Sequence, residues 1–297
     1  SDPCPIAKWF EARPMNEPVE PQHQGTLYLV ATPIGNLGDI TQRACEILEE
    51  VEVVACEDTR ETGKLLKLLG LRANRLLVAN EHTEVSIGPA IVELLDQGND
   101  VALVSDAGSP AISDPGQRLV KHVTDNGHRV SIAPGASAAI AALTLSGLPT
   151  KRWAMEGFLE RKGQQRTLQL ESIGSADRTS VLFESPKRLH KTLADLIEAC
   201  GPNRPAAVLR ELTKMHEECV RGTLEQLTQK FSTEAKGEIA IVVGAAEPRE
   251  VNDQTIVDAL QQEQAKGTKL SSAVSQVSTA LGVQRNRVYA LAHSREE

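Results

Sequence analysis

Four polar segments of the chain contain residue types and spacings that could bind a ligand or perform chemistry. Each follows a short apolar run, and two of them place carboxylates directly after that run. The segments are TPIGNLGD (32–39), EDTR (57–60), SDAGSPAISDPG (105–116) and APGASA (133–138). Parallel α/β sheets bind ligands at the carboxyl ends of their strands, so these segments are the candidate binding loops.

The third segment contains the carboxylate best placed for a ligand. Asp106 directly follows a buried strand, and its carboxylate could accept a hydrogen bond from a ribose hydroxyl or an ammonium group of a ligand. Alternatively, it could accept a hydrogen bond from a backbone N–H of its own loop. The other end of the segment has the pattern of a helix start, because Asp114 and Pro115 suit the N-cap and the first helical position. We therefore expect Asp106 to contact ligand and Asp114 to be structural.

The second segment combines a helix start with two charges that capping does not explain. Asp58 and Glu61 have the spacing of a capping box, and carboxylates suit a helix N-terminus. Glu57 and Arg60 are then candidate substrate contacts. None of the four segments reads GxGxxG or GxxxxGK[ST], so the dinucleotide and nucleoside-triphosphate fingerprints are absent.

The elements that must position these loops follow an α/β pattern. From Thr26, short apolar strands alternate with amphipathic helices, which predicts a mainly parallel sheet covered on both faces, with the first helix capped by Asp39. Gly147–Arg152 breaks this rhythm. The later strands, including a hairpin over 206–213 and 215–221, predict a second α+β domain with a mixed sheet. We expect residues 1–24 to be disordered or vector-derived. The N-terminal α/β domain should span 25–148, and the second α+β domain should span 149–246. Residues 253–297 should form a small helical basic tail that could bind RNA.

Composition restricts the class of protein. The 297 residues are 40% hydrophobic and 24% charged, as in an ordinary globular chain. The most apolar stretch, 136–148, is too short to span a bilayer and no leader pattern opens the chain, so we expect a soluble, cytoplasmic protein without membrane contact. Five cysteines without a CxxC pair and scattered histidines predict no metal site. A net charge of −8 and 3% aromatic residues restrict nucleic-acid binding to local basic patches.

Eight motifs occur together in the order found in one enzyme family. They are TPIGNL, EDTR, SDAGSPAISDPG, PGASAAIAAL, EGFL, FESPKRLH, RELTK and KGE, spread over 25–244. In this combination the chain resembles the tetrapyrrole-methylase superfamily of S-adenosylmethionine (SAM) enzymes. Within it the chain is similar to the branch that methylates the ribose 2'-oxygen of a cytidine in small-subunit (16S) ribosomal RNA. Relatives acting on tetrapyrroles carry a GxGxGD-type loop after the first strand, so TPIGNLGD points away from such substrates.

The resemblance implies a tetrapyrrole-methylase-like fold of two α/β domains with SAM in the cleft between them, a homodimer, and 16S rRNA in the small ribosomal subunit as partner. By position in the motifs, it assigns the SAM contacts to Pro33, Ile34, Asp106, Ser109, Ser137, Ala138, Phe183, Leu209, Arg210 and Ile239. Methyl transfer is an in-line displacement that requires positioning and removal of the hydroxyl proton. The candidate catalytic residues are Glu57, Asp58, Arg60 and Glu184.

Two basic regions are candidates for RNA phosphates. One lies in the second domain, and the other is the tail, where 264–295 carries five basic residues and no acidic one. A patch free of carboxylates favours phosphate, because each neutralised contact releases counterions. The alternative is that the tail packs on the core or on a partner subunit. The candidate RNA contacts are Arg161, Lys162, Lys187, Arg188, Lys266, Lys269, Arg285 and Arg287.

Two other functions remain open at this point. The chain could methylate a small tetrapyrrole-like metabolite, for which an apolar cleft suffices and the basic tail is irrelevant. It could also be a noncatalytic nucleotide-sensing module that uses the cleft for binding alone. Methyl transfer from SAM separates both enzymes from the module, and salt-sensitive binding to small-subunit RNA separates the RNA enzyme from the other two.

Overall fold

The computed structural model of the protein describes residues 24–233, 235–247 and 252–293. The chain forms two compact units, one ending at Ala245 and one beginning at Ala246. The segment 1–24, predicted to lack a fold, lies outside the described residues except for Gln24. No helix in the described part of the chain is long and apolar enough to cross a bilayer.

The first sheet of the larger unit is fully parallel, as the alternating pattern predicts. Its strand order is β3-β2-β4-β1-β5. The strands are β1 (Thr26–Val30), β2 (Val53–Cys56), β3 (Arg75–Val78), β4 (Val101–Val104) and β5 (Arg129–Ala133). The helices that follow them are α1 (Gln42–Glu50), α2 (Thr59–Leu68), α3 (Glu84–Asp96), α4 (Gln117–Asp125) and α5 (Ala138–Ser146).

This sheet is covered on both faces. Every residue of β2 and β4 is buried, which explains why these strands read as continuous apolar runs rather than alternating ones. Successive residues of β2 enter different cores: Val53 and Ala55 pack with one cluster, and Val54 and Cys56 pack with the other. The predicted two-sided coverage is confirmed.

The second sheet of the same unit is mixed. In its order β6-β7-β10-β8-β9 only β6 and β7 are parallel, and β8 and β9 form the predicted hairpin. The strands are β6 (Trp153–Phe158), β7 (Thr179–Glu184), β8 (Pro205–Arg210), β9 (Glu218–Thr223) and β10 (Ile239–Val243). The helices of this region are α6 (Gln164–Ser175), α7 (Leu189–Cys200) and α8 (Leu224–Lys230).

Helix α5 connects the two sheets. It follows β5 of the parallel sheet, yet Ala139, Ala142 and Leu143 share a core cluster with Val181 and Val242 of the mixed sheet. Small side chains on α5 allow this close approach of helix to sheet, and the helix is apolar on several sides. The boundary predicted at 148 falls between α5 and β6, but the helix before it packs on the sheet after it.

The first helix begins later than predicted. Asp39 belongs to a short 3-10 helix, Leu37–Asp39, and Ile40 is extended, so α1 cannot start at Asp39. Thr41 caps α1 instead, accepting a hydrogen bond from the backbone N–H of Ala44 at 3.1 Å. The predicted Asp39 cap is therefore wrong, because the loop after β1 makes one additional turn.

The start of α4 also differs from its prediction. Its N-cap is Gly116 rather than Asp114, with a φ of 134° that a side chain would strain. The orphan N–H groups are bound from another helix: one carboxylate oxygen of Glu84 on α3 accepts from the backbone N–H of Gly116 at 3.1 Å and of Leu119 at 2.9 Å. Glu84 is buried, and it performs the capping that the sequence pattern assigned to Asp114.

The smaller unit is a three-helix tail with its own core, as predicted. Asn252 caps the first helix by accepting from the backbone N–H of Thr255 at 2.8 Å. Ile256, Val274 and Val288, one from each helix, are buried against one another. The helices are α9 (Asp253–Ala265), α10 (Leu270–Leu281) and α11 (Arg285–His293).

We predict that Glu84→Ala destabilises the larger unit by about 1.5–3 kcal/mol, because it leaves buried N–H groups at the α4 N-terminus without a charged acceptor. Chemical denaturation monitored by circular dichroism measures the change. The matched control is Glu93→Ala, an exposed carboxylate on the same helix, which should change the free energy of unfolding by less than about 0.5 kcal/mol. Equal effects of the two substitutions would contradict the capping role.

Candidate functional site

The four candidate binding loops lie side by side at one edge of the parallel sheet. They follow β2, β4, β1 and β5, which are neighbours in the strand order. The loops after β1 and β4 are joined directly: Thr32 and Gly108 exchange backbone hydrogen bonds of 2.9 and 3.1 Å. The prediction that these segments meet at the carboxyl ends of the strands is confirmed.

A cavity of about 450 Å³ lies between this edge and the mixed sheet, within the range of roughly 300–1,000 Å³ typical of small-molecule sites. Residues from both sheets line it. From the parallel-sheet side these are Ile34, Asp106, Ala107, Gly108, Ser109, Ile112, Ser113, Asp114, Ser137, Ala138 and Ala139. From the mixed-sheet side they are Phe158, Phe183, Glu184, Ser185, Pro186, Leu212, Gly237, Glu238, Ile239 and Ala240.

Lys214 connects the two sides beside this cavity. Its ammonium group lies 3.0 Å from Glu211 Oε1 and 3.0 Å from Glu238 Oε2. Its alkyl chain crosses the loop after β1, where a Cβ on Gly35 would come within 2.5 Å of Lys214 Cγ. Gly35, with a φ of 142°, therefore provides the space in which the lysine of the RELTK motif fastens the two loops together.

Carboxylates on the parallel-sheet side interact electrostatically. The pKa of Asp114 is raised to about 6, mainly because the carboxyl is buried and secondarily because Glu57 and Asp106 are negatively charged. Burial also raises the pKa of Asp106, although a hydrogen bond from the Asp58 backbone opposes the shift. Desolvation is likewise the main cause of the raised pKa of Glu57. These groups form one acidic cluster, in which each negative charge disfavours ionisation of the next.

The predicted catalytic residues of the EDTR segment lie outside the cavity lining. Asp58 caps α2 as predicted, and its carboxylate also accepts from the Arg60 guanidinium at 3.1 and 2.7 Å. This pairing lowers the pKa of Asp58 to about 2. Glu61 pairs with Lys64 at 2.7 Å instead of completing a capping box. Arg60 is 84% exposed, so it remains available to a macromolecular substrate.

Glu184, the remaining catalytic candidate, lines the cavity but is already fully bonded. Its Oε1 accepts from the Ser185 backbone N–H at 2.7 Å and lies 3.1 Å from Arg188 Nε. Its Oε2 accepts from the Thr192 hydroxyl at 2.6 Å. The side chain is 1% exposed. These contacts hold Glu184 as a buried anchor between β7 and α7.

Most of the predicted SAM contacts come together. The lining includes Ile34, Asp106, Ser109, Ser137, Ala138, Phe183 and Ile239. It does not include Pro33, Leu209 or Arg210. Leu209 is buried in the core beneath α5, and Arg210 pairs with Glu218 at 2.8 Å and donates to the Lys236 carbonyl at 2.7 Å.

The predicted RNA contacts of the second sheet separate into exposed and anchored residues. Arg161, Lys162 and Lys187 are exposed. Arg188 is half-buried, donating to the Leu159 carbonyl at 2.7 Å and pairing with Glu184. Its contacts therefore orient the cavity wall rather than extend into solvent.

In the tail, all four predicted contacts are exposed, and two of them have acidic partners on α9. Lys266 pairs with Glu263 at 2.6 Å, and Arg287 pairs with Asp253 at 2.7 Å. Although 264–295 contains no acidic residue, two of its basic side chains are therefore paired with carboxylates of α9 in the folded tail.

Sequence reasoning missed Asp114 and Lys214 as residues of the site, and it missed the pairing of Lys214 with Glu238. Asp114 was assigned to a helix cap because Asp-Pro so often starts a helix. Glycine directly before the amphipathic run, at Gly116, was the signal for the actual cap. Lys214 and Glu238 come from motifs far apart in sequence, and their pairing depends on the mixed sheet.

The larger unit thus combines a parallel sheet, whose carboxyl edge borders the cavity, with a mixed sheet on the opposite side of the cavity. The model of the tetrapyrrole (corrin/porphyrin) methylases matches residues 26–228. The chain belongs to this family.

Several relatives carry the name Ribosomal RNA small subunit methyltransferase I. The protein of Mesorhizobium japonicum is 44% identical over 274 residues, covering 92% of this chain and 91% of the relative. The protein of Synechocystis is 42% identical over 271 residues, covering 90% of this chain and 97% of the relative. The predicted enzyme class, a methyltransferase, is confirmed by this similarity.

Solved structures support the fold. A diphthine synthase superposes with a TM-score of 0.59 at 17% identity, covering 74% of this chain and 89% of the other. Uroporphyrin-III C-methyltransferase from Thermus thermophilus, complexed with S-adenyl homocysteine, gives a TM-score of 0.53 at 21% identity, covering 74% and 97%. The predicted tetrapyrrole-methylase fold is confirmed.

We predict that Asp106→Ala weakens binding of SAM by about 1.5–3 kcal/mol without unfolding the chain, because Asp106 lines the cavity and can accept charge-assisted hydrogen bonds. Isothermal titration calorimetry measures the affinity. The control Asp125→Asn removes an exposed carboxylate of α4 and should leave binding unchanged. A folded Asp106→Ala protein with wild-type SAM affinity would remove Asp106 from the site.

Proposed function

We propose that the chain transfers a methyl group from SAM to the ribose 2'-oxygen of a cytidine in small-subunit ribosomal RNA. The observation that carries the proposal is the cavity shared by the two sheets, which joins an apolar wall to an acidic rim. The close relatives named for the small ribosomal subunit support RNA as the substrate.

The lining of the cavity fits the methyl donor. Ile34, Phe183 and Ile239 offer an apolar surface for a flat adenine ring, and Asp106 offers acceptors for ribose hydroxyls. Helix α5 begins at the cavity, with Ser137 as its N-cap. SAM, the cofactor of this enzyme, supplies a methyl group made electrophilic by its positively charged sulfur. The residues of the chain position the acceptor oxygen and exclude water.

An anchored basic loop supports RNA over a small tetrapyrrole. Arg161 and Lys162 extend into solvent from the turn before α6. Buried Arg166 fixes that turn by donating to the Glu160 carbonyl at 2.8 Å, and it pairs with Asp195 at 2.6 Å. Arg161 and Lys162 lie outside the cavity lining, so they suit the phosphates of an extended RNA rather than a substrate small enough to sit within the cavity.

The direct test is methyl transfer from labelled SAM to small ribosomal subunits from a strain lacking the modification, with a reduced tetrapyrrole as the competing substrate. We expect label in the RNA and none in the tetrapyrrole. Label in the tetrapyrrole alone would favour the metabolite enzyme. SAM binding without transfer to either substrate would favour the noncatalytic module.

We predict that Arg60→Ala leaves SAM affinity unchanged and lowers RNA methylation. The exposed Asp58–Arg60 pair contributes little to stability, and Arg60 lies outside the cavity lining. Calorimetry with SAM and steady-state methylation of small subunits measure the two effects. Lys64→Ala, an exposed cation on the same helix, is the control. A loss of SAM affinity equal to the loss of methylation would assign Arg60 to the cofactor site instead.

We predict that Lys269→Gln/Arg285→Gln in the tail weakens binding to small subunits and lowers the slope of log affinity against log salt by about two, one for each lost phosphate contact. Among the described residues, Lys269 and Arg285 are the tail's predicted contacts without an ion pair. The control Lys67→Gln/Lys121→Gln removes the same charge from α2 and α4. An unchanged salt slope would refute the RNA-binding role of the tail.

Two further expectations depend on this function. Because the proposed substrate is the ribosome, we expect the enzyme to act in the cytoplasm. The family resemblance implies a homodimer, which sedimentation equilibrium of the purified chain can measure.

A further inference from the structure

The reaction proposed above needs a group that removes the proton of the ribose hydroxyl, and several carboxylates surround the cavity. A competent base must face the cavity, must have a free oxygen, and must not be neutralised by a cation. The contacts of each carboxylate decide among them.

Three carboxylates fail these conditions. Glu184 uses both oxygens in hydrogen bonds to Ser185, Thr192 and Arg188. Glu238 is paired with Lys214 at 3.0 Å. Asp58 lies outside the lining and is bound by the Arg60 guanidinium.

Two cavity carboxylates remain, and they differ in their partners. The backbone of Asp58 favours the ionised form of Asp106, against the desolvation that raises the pKa of this carboxyl. Asp114 is half-buried, and the charges of Glu57 and Asp106 that act on it are both negative, while the nearby Ser105 hydroxyl donates to the Gly108 carbonyl at 3.2 Å. No cation acts on Asp114 among the described residues.

The surrounding loop holds Asp114 toward the cavity. Ala111 and Ser113 adopt φ values of 67° and 61°, which non-glycine residues rarely do and which cost free energy unless the structure enforces them. The Ala111 N–H donates to the Pro115 carbonyl at 3.1 Å and closes this loop. Because Glu84 caps α4, Asp114 is released from the capping role that its sequence suggests.

We infer that Asp114 is the catalytic base that accepts the proton of the ribose 2'-hydroxyl. The inference rests on the proposed function. As the O–CH3 bond forms, the S–CH3 bond of SAM breaks and its electron pair stays on sulfur, giving S-adenosylhomocysteine. The hydroxyl proton passes to the Asp114 carboxylate and from there to water. The raised pKa of Asp114, about 6, suits a base that works near neutral pH.

The pH dependence follows from the sign of this shift. The carboxylate is the active form, so kcat/KM for SAM should rise with pH through about 6 and then level off. Ionisation of Asp114 opposes folding, because the fold favours its protonated form. Asp114→Asn should therefore be at least as stable as the wild type at pH 8 in chemical denaturation, and the gain should shrink as the pH falls through about 6 and disappear below the ordinary carboxyl value of 3.8.

The test compares wild type, Asp114→Asn, Asp114→Glu and the control Asp125→Asn in methyl transfer from SAM to small subunits between pH 5 and 8.5. We expect Asp114→Asn to bind SAM with little change in Kd, to transfer methyl groups about 10²- to 10⁴-fold more slowly, and to lose the rise through pH 6. Asp114→Glu should recover part of the rate. Asp125→Asn should match the wild type.

Two results would overturn the inference. Asp114 is excluded as the base if the wild type is active and Asp114→Asn is equally active, or if Asp114→Asn keeps the wild-type pH profile. Either result leaves the proposed function intact. A wild-type enzyme that binds SAM and transfers no methyl group to small subunits overturns the proposed function, and the assignment of Asp114 fails with it.

Discussion

The capping of α4 by the buried carboxylate of Glu84 is the interaction on which the parallel-sheet side of the cavity depends. A helix start needs acceptors for its unpaired N–H groups, and Glu84 supplies them from a neighbouring helix. The loop before α4 is then free to turn through two strained residues and to direct Asp114 at the cavity. A local cap by Asp114 itself would have consumed that carboxylate.

The second constraint is the contact between the two sheets. Helix α5 packs on the mixed sheet, and Lys214 fastens the loop after β1 to Glu211 and Glu238. The cavity is therefore formed by elements that direct side-chain contacts hold together. Such preorganisation suits methyl transfer, in which the protein contributes mainly by fixing donor and acceptor at reacting distance.

Periodicity and strand-end motifs were sufficient to predict both sheets, the helical tail and the meeting of the four loops. These features depend on local burial patterns, which a sequence displays directly. The errors at Asp39 and Asp114 have a different origin. Each is a good N-cap by local rules, but the loop after β1 makes an additional turn, and the α4 cap comes from Glu84, more than thirty residues away. Likewise, Arg287 pairs with Asp253 more than thirty residues away, and Arg188 donates to the carbonyl of Leu159 on a different segment, so the sequence did not show that these charges are already bound.

The proposed activity can be tested by identifying which nucleoside receives the methyl group. Small subunits methylated with labelled SAM are digested to nucleosides, which are separated and identified by mass spectrometry. We expect one labelled product, 2'-O-methylcytidine, with the added mass on the ribose. Label on a base, or on a nucleoside other than cytidine, would contradict a cleft that presents a cytidine ribose hydroxyl to the methyl donor.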